Sequence, residues 1–312
     1  MKKIILCIAL LLSQLVSAET DTVKIVVPFT PGGPTDIIAR AIQHELQEKM
    51  NKTIVVESRP GAASTIGTAH VANSDPKETV LLASSSSTYI NLLIKKSTGY
   101  NSNQLVPLVY LGNAPFVLLV SPKLGVKNFG EFKKLDLSRP LNYGSGGVGT
   151  TSYLSAVHLQ KYLGKEYTNI NFNGLSPVII NLIAGNIDFA FVNYSSVLQY
   201  LDSKKLIAIA IDAEHRVNEL PDVPSYPDLG IPYPGDINWY MIWSNRTTNI
   251  NDRSQIQEIM TQVVGDPEKV KTFTNLGLQI NKKTIIPTPE FINQHTQNIQ
   301  TLLNYVNYNL SD

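Results

Sequence analysis

The sequence has 312 residues, 26 basic against 25 acidic side chains, a formal net charge of +1 and a single cysteine. A near-neutral chain with no basic stripe excludes nucleic acid or an anionic membrane surface as a partner held by charge. Cys7 alone excludes a disulfide framework. The scattered His44, His70, His158, His215 and His295 give no metal-ligand spacing, so neither a metal nor a cofactor is expected.

In chain order, Lys2 and Lys3 precede an apolar run from Ile4 to Leu12, and Val16-Ser17-Ala18 has the small-residue pattern of a cleavage site. Residues 1–18 therefore read as a signal peptide, the run being well short of the ~20 residues that span a bilayer. Its removal predicts a periplasmic protein of roughly 294 residues, large enough to be held by its core alone. Losing the two leader lysines brings the charge to about −1, which leaves the exclusions unchanged.

Val23 to Val27 is a β-branched run stopped by Pro28. Ile37, Ile38, Ala41, Ile42 and Leu46 then recur at helical spacing. Thr53 to Glu57 reads as a strand, Ile66 to Val71 as a helix, and Val80 to Ala83 as a third, buried strand. After Pro115, the apolar strand Phe116 to Val120 opens a second set. Leu141 to Tyr143 and a helix from about Thr150 to Tyr162 follow. Strand Asn169 to Phe172, a helix through Val178 to Ile183, strand Ile187 to Val192, a helix near Val197 and strand Leu206 to Ile211 complete that set. A proline-rich stretch from Pro221 to Pro234 precedes a returning strand, Trp239 to Trp243, and a helical remainder. Alternating strands and helices imply α/β lobes built on parallel sheets. The late return implies a discontinuous division, residues 19–120 and 237–312 forming lobe 1 and 121–236 lobe 2.

Ligands of such sheets sit where strands lead into helix N-termini. Phe29-Thr30-Pro31-Gly32-Gly33-Pro34-Thr35-Asp36 is such a loop, either a tight connection or an anion site made by backbone amides and the helix dipole. Gly144-Ser145-Gly146-Gly147-Val148-Gly149-Thr150-Thr151 formally matches G-x-G-x-x-G. In an exported chain it points to generic anion contact rather than a dinucleotide, and without a lysine it is no P-loop. The hydroxyl run Ser84 to Thr88, with Ser86 and Ser87, and the turn Asn173-Gly174 before a helix, with Asn193 on the neighbouring strand end, offer neutral polar contacts or plain caps and turns. No G-x-S-x-G elbow and no H-E-x-x-H helix occur. Asp36 fits a stabilising first-turn acid, and Asp188 a structural carboxylate.

Five segments, in order, resemble the Bug receptors, the substrate-binding proteins of tripartite tricarboxylate transporters: Val26 to Asp36, Val55 to Ala62, Tyr143 to Gly149, Leu182 to Phe189, and Leu220 to Pro224. The resemblance covers nearly the whole mature chain. It implies a type II periplasmic binding protein fold, two α/β lobes closing on a ligand cleft like a Venus flytrap, and no catalysis. It also implies a small organic acid as ligand, whether a dicarboxylate, a tricarboxylate, an acidic amino acid or an aromatic carboxylate, with a membrane permease as partner. Carried over, Phe29, Thr30, Gly32, Gly33, Thr35 and Asp36 form one wall, and Gly144, Ser145, Gly146 and Gly149 the other. Tyr153 stands where the family often has histidine, Asn173 replaces a lysine, and Asn193 an aspartate, so the second lobe is less charged than usual. A sensor presenting its ligand to a signalling receptor is the alternative; an exported hydrolase is a remoter one.

Overall fold

The computed structural model describes residues 22–308 apart from 136–137, 281–282 and 284. The expected leader, 1–18, lies outside the described residues. The first lobe is laid down as β1 (Thr22–Val27), α1 (Pro34–Met50), β2 (Thr53–Ser58), α2 (Thr65–Ala72), β3 (Thr79–Ser85), α3 (Ser87–Ile94) and β4 (Leu105–Asn113). The second comprises β5 (Phe116–Val120), α4 (Phe129–Lys134), β6 (Leu141–Ser145), α5 (Thr151–Leu163), β7 (Tyr167–Asn171), α6 (Leu175–Ala184), β8 (Phe189–Asn193), α7 (Leu198–Asp202) and β9 (Ile207–Asp212). The chain then returns to the first lobe through β10 (Trp239–Asn245), α8 (Ile250–Gly265), α9 (Pro267–Asn275) and α10 (Pro289–Tyr305).

Two five-stranded sheets result, in the orders β2-β1-β3-β10-β4 and β7-β6-β8-β5-β9. Both are mixed, which corrects the expectation of parallel sheets: β10 runs antiparallel to β3 and β4, and β5 antiparallel to β8 and β9. The reason is where each strand starts. β1, β3, β6 and β8 run toward the junction of the lobes, whereas β5 and β10 enter their sheets from it. Strand β5 sits inside the second sheet, so a boundary at residue 120 put it in the wrong lobe. The crossing falls at Ala114 and Pro115.

The apolar runs are continuous because both sheet faces are covered. In β1, Val23, Ile25 and Val27 pack with α1 residues Ile38, Ile42 and Leu46, while Val26 packs on the opposite face with Trp239, Trp243 and α10 residues Ile299 and Leu302. In β5, Phe116, Leu118 and Val120 join one core and Val117 and Leu119 the other. Each fully buried side chain of this size contributes roughly 1.5–3 kcal/mol. Strand β4 carries Pro107, which argues against a strand until the order places it at the sheet edge, where the missing donor costs little.

Asp188 stitches the second lobe together. Its carboxylate accepts both Arg139 guanidinium nitrogens at 2.7 Å and the Asn142 amide at 2.7 Å, tying the entrance of β6 to that of β8. Burial pushes this carboxyl up, but the Arg139 and Asn142 hydrogen bonds outweigh it and hold the group below the usual carboxylate range. An Asp188→Ala protein should lose about 1–3 kcal/mol by leaving a backbone donor unpaired. Urea unfolding of the two proteins checks this. Among the described residues no helix is long and apolar enough to cross a membrane.

Candidate functional site

Four helix N-termini converge on one cavity between the lobes. Gly33, Pro34 and Thr35 open α1, Ser85 and Ser87 flank the start of α3, Thr150, Thr151 and Ser152 open α5, and Gly174 and Leu175 open α6; all line it. Phe29, Phe116, Gly146, Asn238 and Tyr240 complete the wall of a tight cavity of about 30 Å³. That is far below the ~300–1,000 Å³ usual for small-molecule sites and leaves room for little more than a water molecule, so the lobes are drawn together over the site. First-turn amides have no intrahelical acceptor, and each N-terminus carries roughly +0.5 elementary charge. No lysine, arginine or histidine lines the cavity. The arrangement therefore favours a small anion held by backbone and hydroxyl donors, with the rings of Phe29, Phe116 and Tyr240 against its apolar part.

The serine hydroxyls of the wall and those of Thr150 and Thr151 are bonded to other hydroxyls or to backbone. Ser85 Oγ lies 2.9 Å from Ser87 Oγ, Thr150 Oγ1 donates to Gly147 O at 2.8 Å, and Ser152 Oγ accepts from Gly146 N at 3.0 Å. No imidazole or carboxylate among the lining residues stands ready to activate them. Among the described residues no group of three or more His, Cys, Asp or Glu could hold a metal ion.

Of the residues in the loops singled out in the sequence, Phe29, Gly33, Pro34, Thr35, Ser85, Ser87, Gly146, Thr150, Thr151 and Gly174 are brought to this wall. The others are not, and most have visible structural work. Asp36 Oδ2 accepts the Gly32 amide at 3.0 Å and its carboxylate pairs with Arg40, which shapes the loop from behind. Gly144 is small because Ile187 and Val178 pack where a Cβ would stand. Ser145 donates to Asn169 at 2.8 Å and accepts the Gly147 amide at 3.1 Å. Asn173 lies on an outer recess shared with Lys95 and Gly147.

Several of these residues instead join the lobes. Thr30 N donates to Asn173 O at 3.0 Å, Ser86 Oγ lies 2.8 Å from Thr151 Oγ1, and the Asn91 amide donates to Gly149 O at 3.2 Å and to Ala63 O at 2.7 Å. The Ser176 hydroxyl donates to Pro31 O at 3.0 Å. Asn193 Oδ1 accepts from Tyr240 OH at 2.9 Å, and its Nδ2 donates to Ala114 O at 3.3 Å, within the crossing connections. Tyr153 packs edge-on against Tyr308, off the wall. All three family departures thus lie away from the cavity lining.

Sequence reasoning missed Phe116, Asn238 and Tyr240, which sit where strands begin rather than end. It also stopped one residue short of Ser152, although a hydroxyl run across a helix start was there to be read.

Residues 38–308 match the family described as "Tripartite tricarboxylate transporter family receptor". BugT of Bordetella pertussis is 28% identical over 284 residues, 83% of this chain and 87% of that protein. The protein of the TAR-I ttuE-ttuC' intergenic region of Agrobacterium vitis is 27% identical over 269 residues, 84% of this chain and 76% of its own. Among solved structures, MatC from Rhodopseudomonas palustris with bound malate superposes with a TM-score of 0.79 at 26% identity, covering 91% of this chain and 98% of that one. An R. palustris protein solved with adipate, 22% identical, superposes at 0.83 over 93% of this chain and 98% of its own, a likeness of fold. The architecture is the two-lobed type II periplasmic binding fold.

Proposed function

We propose a function from one premise: the chain belongs to the tripartite tricarboxylate transporter receptor family. It is a solute-binding receptor and not an enzyme. Its solute is a small organic acid, gripped at a carboxylate between the lobes and passed to a membrane permease of the tripartite tricarboxylate type. Dicarboxylates, tricarboxylates, acidic amino acids and aromatic carboxylates are the classes to screen. The observation that carries this reading is the meeting of four helix N-termini on a cavity lined by hydroxyls and no cationic side chain. Backbone donors of that kind favour anions without the entropy cost of ordering a long basic chain. Malate in MatC supports the same class of ligand. A leader cleaved after Ala18 would deliver the receptor to the periplasm.

Within this reading the first-lobe contacts are Phe29, Gly33 and Thr35 with Ser87, and the second-lobe contacts Gly146 and Thr150 with Thr151 and Ser152. A ligand that binds the closed native state stabilises it by mass action, by about 2.7 kcal/mol at a hundredfold excess over Kd, and so raises its melting temperature. Thermal melts of the mature protein against a panel of carboxylic acids should show a rise of several degrees with at least one of them and none with its neutral amide. A panel in which every acid leaves the melting temperature unmoved would remove the reading.

A further inference from the structure

Among the buried side-chain polar atoms of the cavity wall, one has no hydrogen-bond partner. Asn238 is 7% exposed, and its Oδ1 is buried without a hydrogen-bond partner. None of the other residues lining the cavity has a buried side-chain atom left in that condition among the described residues. The orientation of this amide is dictated by its surroundings. Asn238 Nδ2 donates to Ala114 O, and Ala114 N donates to Asn238 O at 2.9 Å, so the nitrogen end is fixed on the crossing strand. The neighbouring amide, Asn193, is committed in the same sense, its oxygen to Tyr240 OH and its nitrogen to Ala114 O. Turning Asn238 over would set its oxygen against a carbonyl oxygen. Its Oδ1 is therefore held as a pure acceptor.

A buried carbonyl without a partner costs about 1–3 kcal/mol, which is recovered when a donor arrives. A ligand carboxylate cannot supply that donor, because it is itself an acceptor. We propose that the acid taken by this site carries a hydrogen-bond donor, an alcohol or an ammonium group, which Asn238 Oδ1 receives. This rests on the anion-receptor reading above and narrows it from organic acids in general to hydroxy and amino acids. Asn238 is then a specificity-determining residue, rejecting the deoxy counterpart by leaving its own oxygen unpaired.

The test is affinity for matched acids by calorimetry: malate and aspartate against succinate, 2-hydroxyglutarate and glutamate against glutarate, and mandelate against phenylacetate. For the pair that fits, the wild-type protein should bind the donor-bearing acid about 10- to 100-fold more tightly than its deoxy partner. Asn238→Leu should bring that ratio close to one. The proposal is overturned if deoxy acids bind the wild-type protein as tightly as their hydroxy and amino counterparts, or if Asn238→Leu keeps the ratio. The wild-type comparison stands even where the variant folds poorly. If neither member of any pair binds, the anion-receptor reading falls and takes this inference with it, an outcome distinct from equal binding.

Discussion

A Gly174→Val protein should fold, melt a few degrees lower than wild type, and bind its acid about 100-fold more weakly. Gly174 stands at the start of α6 with φ +148°, a backbone conformation that L side chains rarely adopt. A Cβ there would lie 2.6 Å from Thr30 Oγ1, 3.2 Å from Thr30 N and 3.4 Å from Phe29 Cβ. All three atoms belong to the opposite lobe. The collision is thus relieved by parting the lobes, not by disturbing either core, and the same movement breaks the bond from Thr30 N to Asn173 O. Backbone strain of about 1–3 kcal/mol accounts for the lowered melting temperature. A further ~3 kcal/mol against closure would hold the closed form to about one molecule in a hundred, and apparent affinity falls by that fraction. Calorimetry reads the affinity, and small-angle scattering should show a ligand-insensitive, more extended particle. Wild-type affinity in this variant would mean that the lobes do not meet at Gly174 when ligand is held.

The same residue shows what could and could not be read from sequence. Asn173-Gly174 was recognisable as a turn before a helix, but its role against Thr30 depends on which loops face each other across the cleft. Strands β1, β3 and β5 were legible because burial of both faces leaves uninterrupted β-branched and aliphatic runs. Helix α1 was legible from its periodicity. Strand β4 was hidden by Pro107, whose tolerance at a sheet edge is a property of strand order. Helix α3 was hidden because Ser84 to Thr88 reads as a strand end, and the following Tyr89 to Ile94 lacks a polar stripe.

For the site, glycines and hydroxyls at the carboxyl ends of strands drew attention to Phe29, Gly33, Thr35, Ser87, Gly146 and Thr150, which do line the cavity. The rule that ligands gather at those ends assumes parallel strands. Phe116, Asn238 and Tyr240 reach the cavity from the beginnings of antiparallel ones, or just before them, and composition carries no mark of strand direction. Asp36, Gly144 and Asn193 have the right residue types for a site, but their bonds and packing serve the loop, the core and the crossing strands. Residue type identified which groups were polar and near the cleft. Partner geometry decided which were still available.

Asp212 carries the second large expected effect. It ends β9 opposite Phe116, and its Oδ2 accepts from Ser155 Oγ at 2.8 Å while its Oδ1 is buried with no partner. Burial pushes its carboxyl up to about 7, against hydrogen bonding from Ser155, and the Asp236 carboxylate adds to the rise. An acid whose native pKa is raised holds a proton that the unfolded chain has already released. Stability from this group is full below about 4, falls as pH rises, and is gone above about 7. Nearby His158 works in the opposite direction: burial lowers it to about 4, so its contribution is present above about 6.5 and is lost on acidification. The two offset each other between pH 4 and 6.5, and the wild-type profile alone will look shallow. The difference between wild type and Asp212→Asn isolates the carboxyl, because the amide keeps an acceptor for Ser155 without ever becoming charged. At pH 8 the variant should be the more stable protein by up to about 4 kcal/mol, a bound set by roughly three pK units. At pH 5 the gap should shrink to roughly 1.5–2 kcal/mol, because the unfolded chain is already ionised there while the native acid keeps its proton, and it should close below about pH 4. Urea unfolding at both pH values measures the gap. A gap of the same size at pH 5 and pH 8 would place its origin in packing rather than in the buried charge.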